Sequence, residues 1–333
     1  TKCEMILGAA MNGSKEAPAA SNEKEESRWA SLCVLHHAGF IAEPQPQPQL
    51  TQPAFFFFVS LKYSTKSDYL SQNLRYDPTT GDLHDGDNDA VMMEWERPLM
   101  NLHASVICKE GQKNLNVLNV GFGMGIIDGY LQSYEPSKHY IMEAHPDVLK
   151  KMDADGWDTK ENVTIMRGRW QDTFQTVIDS GVRFDGIFFD TYGEHFSDMD
   201  EFHTKVVTKL LKADGIYSFF NGLAPDNVFF HGVSCNCLKI QLGALGFDVD
   251  FLTCEIQVKD DEWKNTRRKY WHFDHYFLPV CTFKDEQIEK SKSDDDGQNI
   301  NNGNAKCDKE NGDKDNDNDN DNDNDNDNDN DND

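Results

Sequence analysis

No stretch of the 333-residue sequence approaches the ~20 apolar residues that a bilayer span needs. The four phenylalanines at 55–58 read as a buried strand or a gene-prediction error rather than an anchor. No secretory pattern stands at the start, and the chain opens on Thr1 rather than Met, so a true start upstream is expected. None of the eight cysteines forms a CxxC pair; the closest two are Cys235 and Cys237, with Asn236 between them. That spacing speaks against zinc, and it leaves free thiols in a reducing compartment. No metal is expected, and the placement read from these absences is cytoplasmic and nuclear, with no membrane partner.

Positive charge is also scarce. Lys and Arg number 32 against 59 Asp and Glu, a net charge of −27. From 284 to 333 there are 19 acidic and 6 basic residues, a net of −13, which leaves −14 on the first 283. An acidic body disfavours unaided binding to nucleic acid and suits a basic protein partner better.

Composition divides the chain in three. Residues 1–66 mix small, charged and proline–glutamine stretches (Pro44-Gln45-Pro46-Gln47-Pro48-Gln49), which read as a poorly defined segment with an extended linker. Only the piece 29–40 has some helical periodicity. Residues 67–284 carry the apolar periodic segments. Residues 285–333 end in repeated Asp-Asn dipeptides with almost no apolar side chains, so a disordered acidic tail is expected there. That tail lacks the spaced loop and glycine of an EF-hand.

Within the middle zone, strands and helices alternate. The apolar patterns predict strands at 115–120, 138–143, 163–166, 184–190 and 216–220. Helices are predicted at 124–133, 146–153, 170–179, 198–211 and 233–245. Two long segments, 248–258 and 270–283, are expected to pair as a closing antiparallel hairpin. Repeated βα units imply an α/β fold with a mostly parallel sheet and helices on both faces.

In such a sheet, ligands bind beyond the carboxyl ends of the strands. Gly121-Phe122-Gly123-Met124-Gly125 stands where the first such end should be. A nicotinamide fingerprint, G-x-G-x-x-G, would need its third glycine at position 126, which is Ile126. The spacing present, G-x-G-x-G, is typical of enzymes that use S-adenosylmethionine; the competing reading is a glycine turn with no ligand. Glu143 ends the second strand, 22 residues past Gly121, where a carboxylate can accept both ribose hydroxyls. Asp172 falls at a helix start near the expected adenine, where it either meets the base or only caps the helix.

Two acidic positions flank the place expected for the transferable methyl group. Asp190 closes the fourth strand in Phe188-Phe189-Asp190-Thr191-Tyr192. Glu94 and Glu96 lie in Met92-Met93-Glu94-Trp95-Glu96-Arg97-Pro98-Leu99-Met100. Methyl transfer from a sulfonium asks the protein to position an acceptor and leave it a lone pair. Two carboxylates suit a guanidinium, whose fork of donors they match, and can take up its proton. A helix cap at Asp190 and a solvated helix face at Glu94 and Glu96 are the plainer alternatives.

The block from Val91 to Met100, with Val120-Gly121-Phe122-Gly123-Met124-Gly125 and Phe189-Asp190-Thr191-Tyr192, resembles the guanidinoacetate methyltransferase superfamily. Glu143-Ala144-His145-Pro146-Asp147-Val148-Leu149 and Gly168-Arg169-Trp170-Gln171-Asp172 are more similar to its protein arginine N5-methyltransferases (type IV). The resemblance covers roughly residues 67–283 and implies a seven-stranded, Rossmann-like class I S-adenosylmethionine-dependent methyltransferase. It implies methyl transfer to the δ (N5) nitrogen of an arginine in a protein, a ribosomal protein by analogy. A monomer is expected, and the acidic body leaves no expectation of a direct nucleic-acid partner.

Carried over, the resemblance makes Glu96, rather than Glu94, and Asp190 the catalytic pair. Tyr69, Met92 and Met100 would contact the cofactor, as would Phe122, Gly123, Met124, Gly125, Ile126 and Ile127. Glu143, Ala144 and His145 would hold the ribose and adenine region, Arg169 and Trp170 would flank the adenine, and Asp190 would also lie near the cofactor. The family's N-terminal ankyrin-like module is not legible in residues 1–66, and the Asp-Asn run is outside the pattern. Two alternatives remain open: a guanidinoacetate-type small-molecule enzyme and a non-catalytic scaffold. The loop Phe220-Asn221-Gly222-Leu223-Ala224-Pro225 differs from the small-molecule pattern, which favours a protein acceptor, and an intact glycine turn with both acids disfavours a scaffold.

Overall fold

The computed structural model describes residues 65–109 and 111–285. The proline–glutamine linker, the periodic piece 29–40 and the Asp-Asn tail lie outside the described residues.

Three short strands come first, β1 (Arg75–Tyr76), β2 (Leu83–His84) and β3 (Ala90–Met92), paired antiparallel in that order. A 3-10 turn, Glu94–Glu96, leads into α1 (Arg97–Cys108), with Pro98 in its first turn, where a missing N–H costs nothing. Then the βα repeat begins: β4 (Asn116–Val120), α2 (Ile126–Ser133), β5 (Lys138–Glu143), α3 (Pro146–Ala154), β6 (Val163–Arg167), α4 (Trp170–Asp179) and β7 (Phe184–Phe189). The remaining elements are α5 (Phe196–Phe202), β8 (Leu211–Phe219), α6 (Val228–Ala244), β9 (Phe247–Glu255) and β10 (His275–Phe283).

The large sheet has seven strands in the order β6-β5-β4-β7-β8-β10-β9. All neighbours from β6 to β8 are parallel, and only β10 runs against them, inserted between β8 and β9. This is the class I methyltransferase arrangement expected from the sequence. Side-chain alternation along the strands builds a core on each face. Val117, Ile141 and Phe188 pack with α1, α2 and α3 on one side. Leu118, Val120, Met142, Ile187 and Phe189 pack with α4 and α5 on the other.

Two expected helices differ from those observed. The segment expected as one helix over 198–211 starts at Phe196, because His195 and Asp198 form a capping box. It then widens into a π turn, His203–Val207, where buried His203 sets its Nε2 2.9 Å from the Tyr217 hydroxyl. A last short turn, Thr208–Leu210, gives way to strand at Leu211. Helix α6 begins five residues before the expected 233, because Asn227 Oδ1 accepts from the N–H groups of Phe229 and Phe230, both at 3.1 Å. The hairpin is present, with β9 and β10 in unbroken register from Phe247 opposite Phe283 to Glu255 opposite His275. Among the described residues no helix is long and apolar enough to cross a membrane.

The chain leaves β4 for β5 and β6 on one side, then returns to lay β7 on the other side of β4. Between β4 and β7 the strand order reverses, and a crevice opens at their carboxyl ends. Register aligns those ends: Val120 lies opposite Phe189, Phe189 opposite Phe219, and Glu143 opposite Arg167. Gly121, Ala144, Asp190 and Phe220 therefore all leave the sheet at one edge.

Candidate active site

The crevice is a cleft of about 460 Å³ along that edge. Its floor is the crossing of two turns. Asp190 N–H donates to Val120 O at 2.9 Å, and the Asp190 carbonyl lies so near Gly121 that a Cβ there would stand 1.9 Å from it. Gly121 also has φ +94°, a conformation other residues avoid, so only glycine permits this crossing. Gly125, at φ +69°, opens α2, and a Cβ on it would enter the Phe122 ring at 2.4 Å.

Glu143 is 7% exposed, yet its carboxylate reaches the cleft wall. Its Oε2 accepts from Phe122 N–H at 2.8 Å, and its Oε1 accepts from Ala144 N–H at 2.8 Å and His145 N–H at 2.6 Å. Burial raises its proton affinity, and these backbone donors oppose that rise. The fold thus clamps Glu143 to the glycine turn at the cleft wall. Met92, Ala144, Arg169 and Trp170 line the same cleft, as do Gly123 and Asp190. Tyr69 arches over it, with its ring 4.8 Å from that of His145 and 5.0 Å from that of Tyr192.

Other residues expected at the cofactor stand behind the wall. Met100 is fully buried in α1 and belongs to the core, as do Phe122, Ile126 and Ile127. Met124 packs against that same core, and Gly125 is the hinge into α2. His145 caps α3, accepting from Asp147 N–H at 3.1 Å, while its Nε2 lies 3.1 Å from Tyr69 O. These side chains shape the wall from behind. Asp172 is exposed in the first turn of α4 and is not among the residues lining the cleft, and α4 has no side-chain cap hydrogen bond, so neither the base contact nor the cap expected of it is seen.

The two acids before α1 part company. Glu94 turns outward to a bidentate pair with Arg97, at 2.7 and 2.6 Å. Glu96 turns inward and is 3% exposed. Its Oε1 accepts from Met93 N–H at 2.9 Å and from the Tyr270 hydroxyl at 2.6 Å. Burial, and next the nearby charge of Asp190, push the Glu96 carboxyl up to about 8. Burial alone pushes Asp190 up to about 7. Two carboxyls with raised proton affinities, close enough for the charge of one to act on the other, thus lie near the end of β7. They can hold a proton or receive a cation.

Several parts of the site had no legible signal. Tyr270 lies in the connection between β9 and β10, 174 residues from Glu96. It sits in an aromatic group with Trp95, Trp263 and Trp271. Below the loop that starts at Phe220, the Tyr276 hydroxyl accepts from Asn221 N–H at 2.7 Å and lies 3.0 Å from His103 Nε2, while His103 Nδ1 lies 2.8 Å from Ser218 Oγ. At the mouth, the Tyr192 hydroxyl donates to Asp85 at 2.9 Å, and Lys66 joins Asp85, Asp87 and Asp89. Arg267 and Arg268 close on Asp89 from outside. The signal overlooked was local: Asp85, Asp87 and Asp89 stand at every second position in Asp85-Gly86-Asp87-Asn88-Asp89.

The chain is 43% identical to protein arginine N-methyltransferase 2 of Yarrowia lipolytica over 228 residues, 66% of this chain and 48% of that protein. Identity to the protein of that name from Eremothecium gossypii is also 43%, over 65% of this chain and 52% of that one. For Saccharomyces cerevisiae it is 41%, over 59% and 48%. The chain spans about half the length of the curated relatives it matches. The profile of the guanidinoacetate N-methyltransferase family matches residues 63–230. That span takes in every strand end around the cleft and just over half of the sequence, so the chain belongs to the guanidinoacetate N-methyltransferase family.

Proposed function

We propose that the protein transfers a methyl group from S-adenosylmethionine to the δ (N5) nitrogen of an arginine in a protein, a ribosomal protein by preference. The observation that carries the guanidine acceptor is a pair of acids at one edge of the sheet: Asp190 lines the cleft at the end of β7, and Glu96 is turned inward and buried, close enough to feel the Asp190 charge. The names of the relatives support the protein arginine as substrate. The cleft fits the cofactor: Gly121 and Gly123 line it with backbone rather than side chains, Glu143 offers a carboxylate to ribose hydroxyls, and Trp170 offers an aromatic wall. When bound, S-adenosylmethionine supplies an electrophilic methyl group on its sulfonium.

The residues of this chain do the rest. Glu96 and Asp190 take the fork of guanidinium donors. Their shared environment keeps the acceptor's plane fixed and its reacting nitrogen in line with the methyl group. The proton lost by that nitrogen passes to the pair, whose affinities near neutrality suit a general base. Tyr270 and Met93 N–H hold Glu96 in place throughout. We place the enzyme in the cytoplasm and nucleus, acting as a monomer.

The test is methyl-labelled S-adenosylmethionine with a fungal extract deficient in arginine δ-methylation, followed by mass spectrometry of the labelled peptides. Label in δ-methylarginine is the expected result. Label in ω-methylarginine overturns the nitrogen assigned, and label only in small guanidino compounds moves the reading to the guanidinoacetate-type enzyme.

A further inference from the structure

The cleft wall beside Trp170 is completed by a carboxylate that no motif pointed to. Glu194 comes from the turn after Asp190 and lines the cleft. Its Oε2 accepts from Trp170 Nε1–H at 3.0 Å and from the Thr191 hydroxyl at 2.8 Å. Its Oε1 accepts from Gln171 Nε2–H at 2.9 Å. A carboxylate offers about four acceptor positions, so Oε1 keeps one in reserve. Glu194 thereby ties the turn after β7 to the first residues of α4 at the cleft wall. Asp172, the acid first expected there, is exposed and is not among the residues lining the cleft.

A purine seated against Trp170 has an edge to satisfy. The exocyclic amino group of adenine is a donor, and it seeks an acceptor in a place from which water is largely excluded. Among the described residues lining the cleft beside Trp170, Glu194 is a fixed acceptor with capacity left. We propose that Glu194 accepts the adenine amino group and makes the cleft selective for adenosyl over inosyl ligands. This rests on the S-adenosylmethionine reading above. The same carboxylate orients the Trp170 indole, so selectivity and wall geometry depend on one side chain. Because Thr191 and Glu194 share the turn with Asp190, a seated base also steadies the strand end that carries the acceptor acid.

The experiment is calorimetric binding of S-adenosylhomocysteine and of S-inosylhomocysteine, in which a carbonyl replaces the amino group, to wild type, Glu194→Gln and Glu194→Ala. Wild type should prefer the adenosyl ligand by about tenfold or more, since a site built to accept a donor rejects an analogue that lacks it. Glu194→Ala should bring the two affinities within about threefold. Glu194→Gln, whose amide can donate to the inosine carbonyl, should move the preference toward the inosyl ligand, an outcome that a merely structural role for Glu194 does not produce. If Glu194→Ala does not fold, Glu194→Gln carries the test. An unchanged ratio in the variants, with both ligands weakened alike, overturns the assignment. A wild type that binds neither ligand overturns the cofactor reading itself, and the assignment with it.

Discussion

Tyr270 donates its hydroxyl hydrogen to Glu96 Oε1 at 2.6 Å, reaching back from the β9–β10 connection to the turn before α1. Burial and the Asp190 charge drive Glu96 toward its protonated form, while Tyr270 and Met93 N–H favour the carboxylate. Tyr270→Phe removes one of the two restraining donors, so the Glu96 carboxyl should rise further above about 8. The acidic limb of the pH profile of kcat/KM should move up by about one unit, with a smaller change in the alkaline limb. An acidic limb that stays in place means that the hydrogen bond does not govern the ionisation that limits turnover.

Glu96→Gln keeps the shape of the side chain and loses the charge that would meet a guanidinium. Turnover should fall by about a thousandfold or more, while calorimetric affinity for S-adenosylhomocysteine stays within a few-fold of wild type. Asp190→Asn should lose as much turnover and also weaken the cofactor, because Asp190 lines the cleft itself. Wild-type turnover in either variant rules out a two-carboxylate mechanism.

The same Glu96 substitution should stabilise the ligand-free protein. A carboxyl raised on folding holds its proton when the unfolded chain has already released it. Stability therefore falls as pH rises from the unfolded value, near 4.5, to about 8. Glu96→Gln escapes that loss, with a gain on the order of 2 kcal/mol at pH 8 and little at pH 4.5. Thermal melts at the two pH values measure it, and an equal shift at both would show that the gain is not electrostatic.

Gly121→Ala should be more severe than its size suggests. The added methyl meets the Asp190 carbonyl at 1.9 Å on a backbone at φ +94°. A loss of about 3 kcal/mol or more in urea denaturation is expected, together with loss of S-adenosylhomocysteine binding. Near-native stability would mean that the two turns cross less tightly than described.

Local periodicity and turn chemistry made the βα repeat legible: β5 and α4 run over the residues their patterns indicated. The glycine turn was legible because backbone conformation forces glycine there. The inward turn of Glu96 was not a matter of spacing, since Glu94 two residues earlier has the same charge; resemblance selected it, and Arg97 explains why Glu94 faces out. Tyr270 and Glu194 act through contacts between distant segments or turns, which one-dimensional periodicity does not encode. The start of α6 was missed because Asn227 was not recognised as its cap.

Asp89 should set part of the acid limit of the fold. Burial acts to raise its carboxyl, yet Arg267, Arg268 and Lys66 together hold it well below the usual range. Such a group gives stability that is present above the unfolded value, near 4, and is lost as pH falls further toward the depressed folded value. Asp89→Asn should cost about 2 kcal/mol at pH 7, with the two arginines partly screened by water. The gap to wild type should narrow below pH 4 in acid-unfolding curves. A gap independent of pH would assign the effect to lost packing.

The insertion of β10 between β8 and β9 bears on the order of assembly during synthesis. The parallel strands β4 to β7, the glycine turn, Glu143 and Asp190 all precede residue 191, and β8 follows by Phe219, but Tyr270 and Tyr276 arrive only with the last described hairpin. A nascent chain that has not yet released that hairpin already contains both halves of the cradle. It still has no hydroxyl to hold Glu96 and no antiparallel strand to cover the outer edge of β8, so its cleft precedes its chemistry.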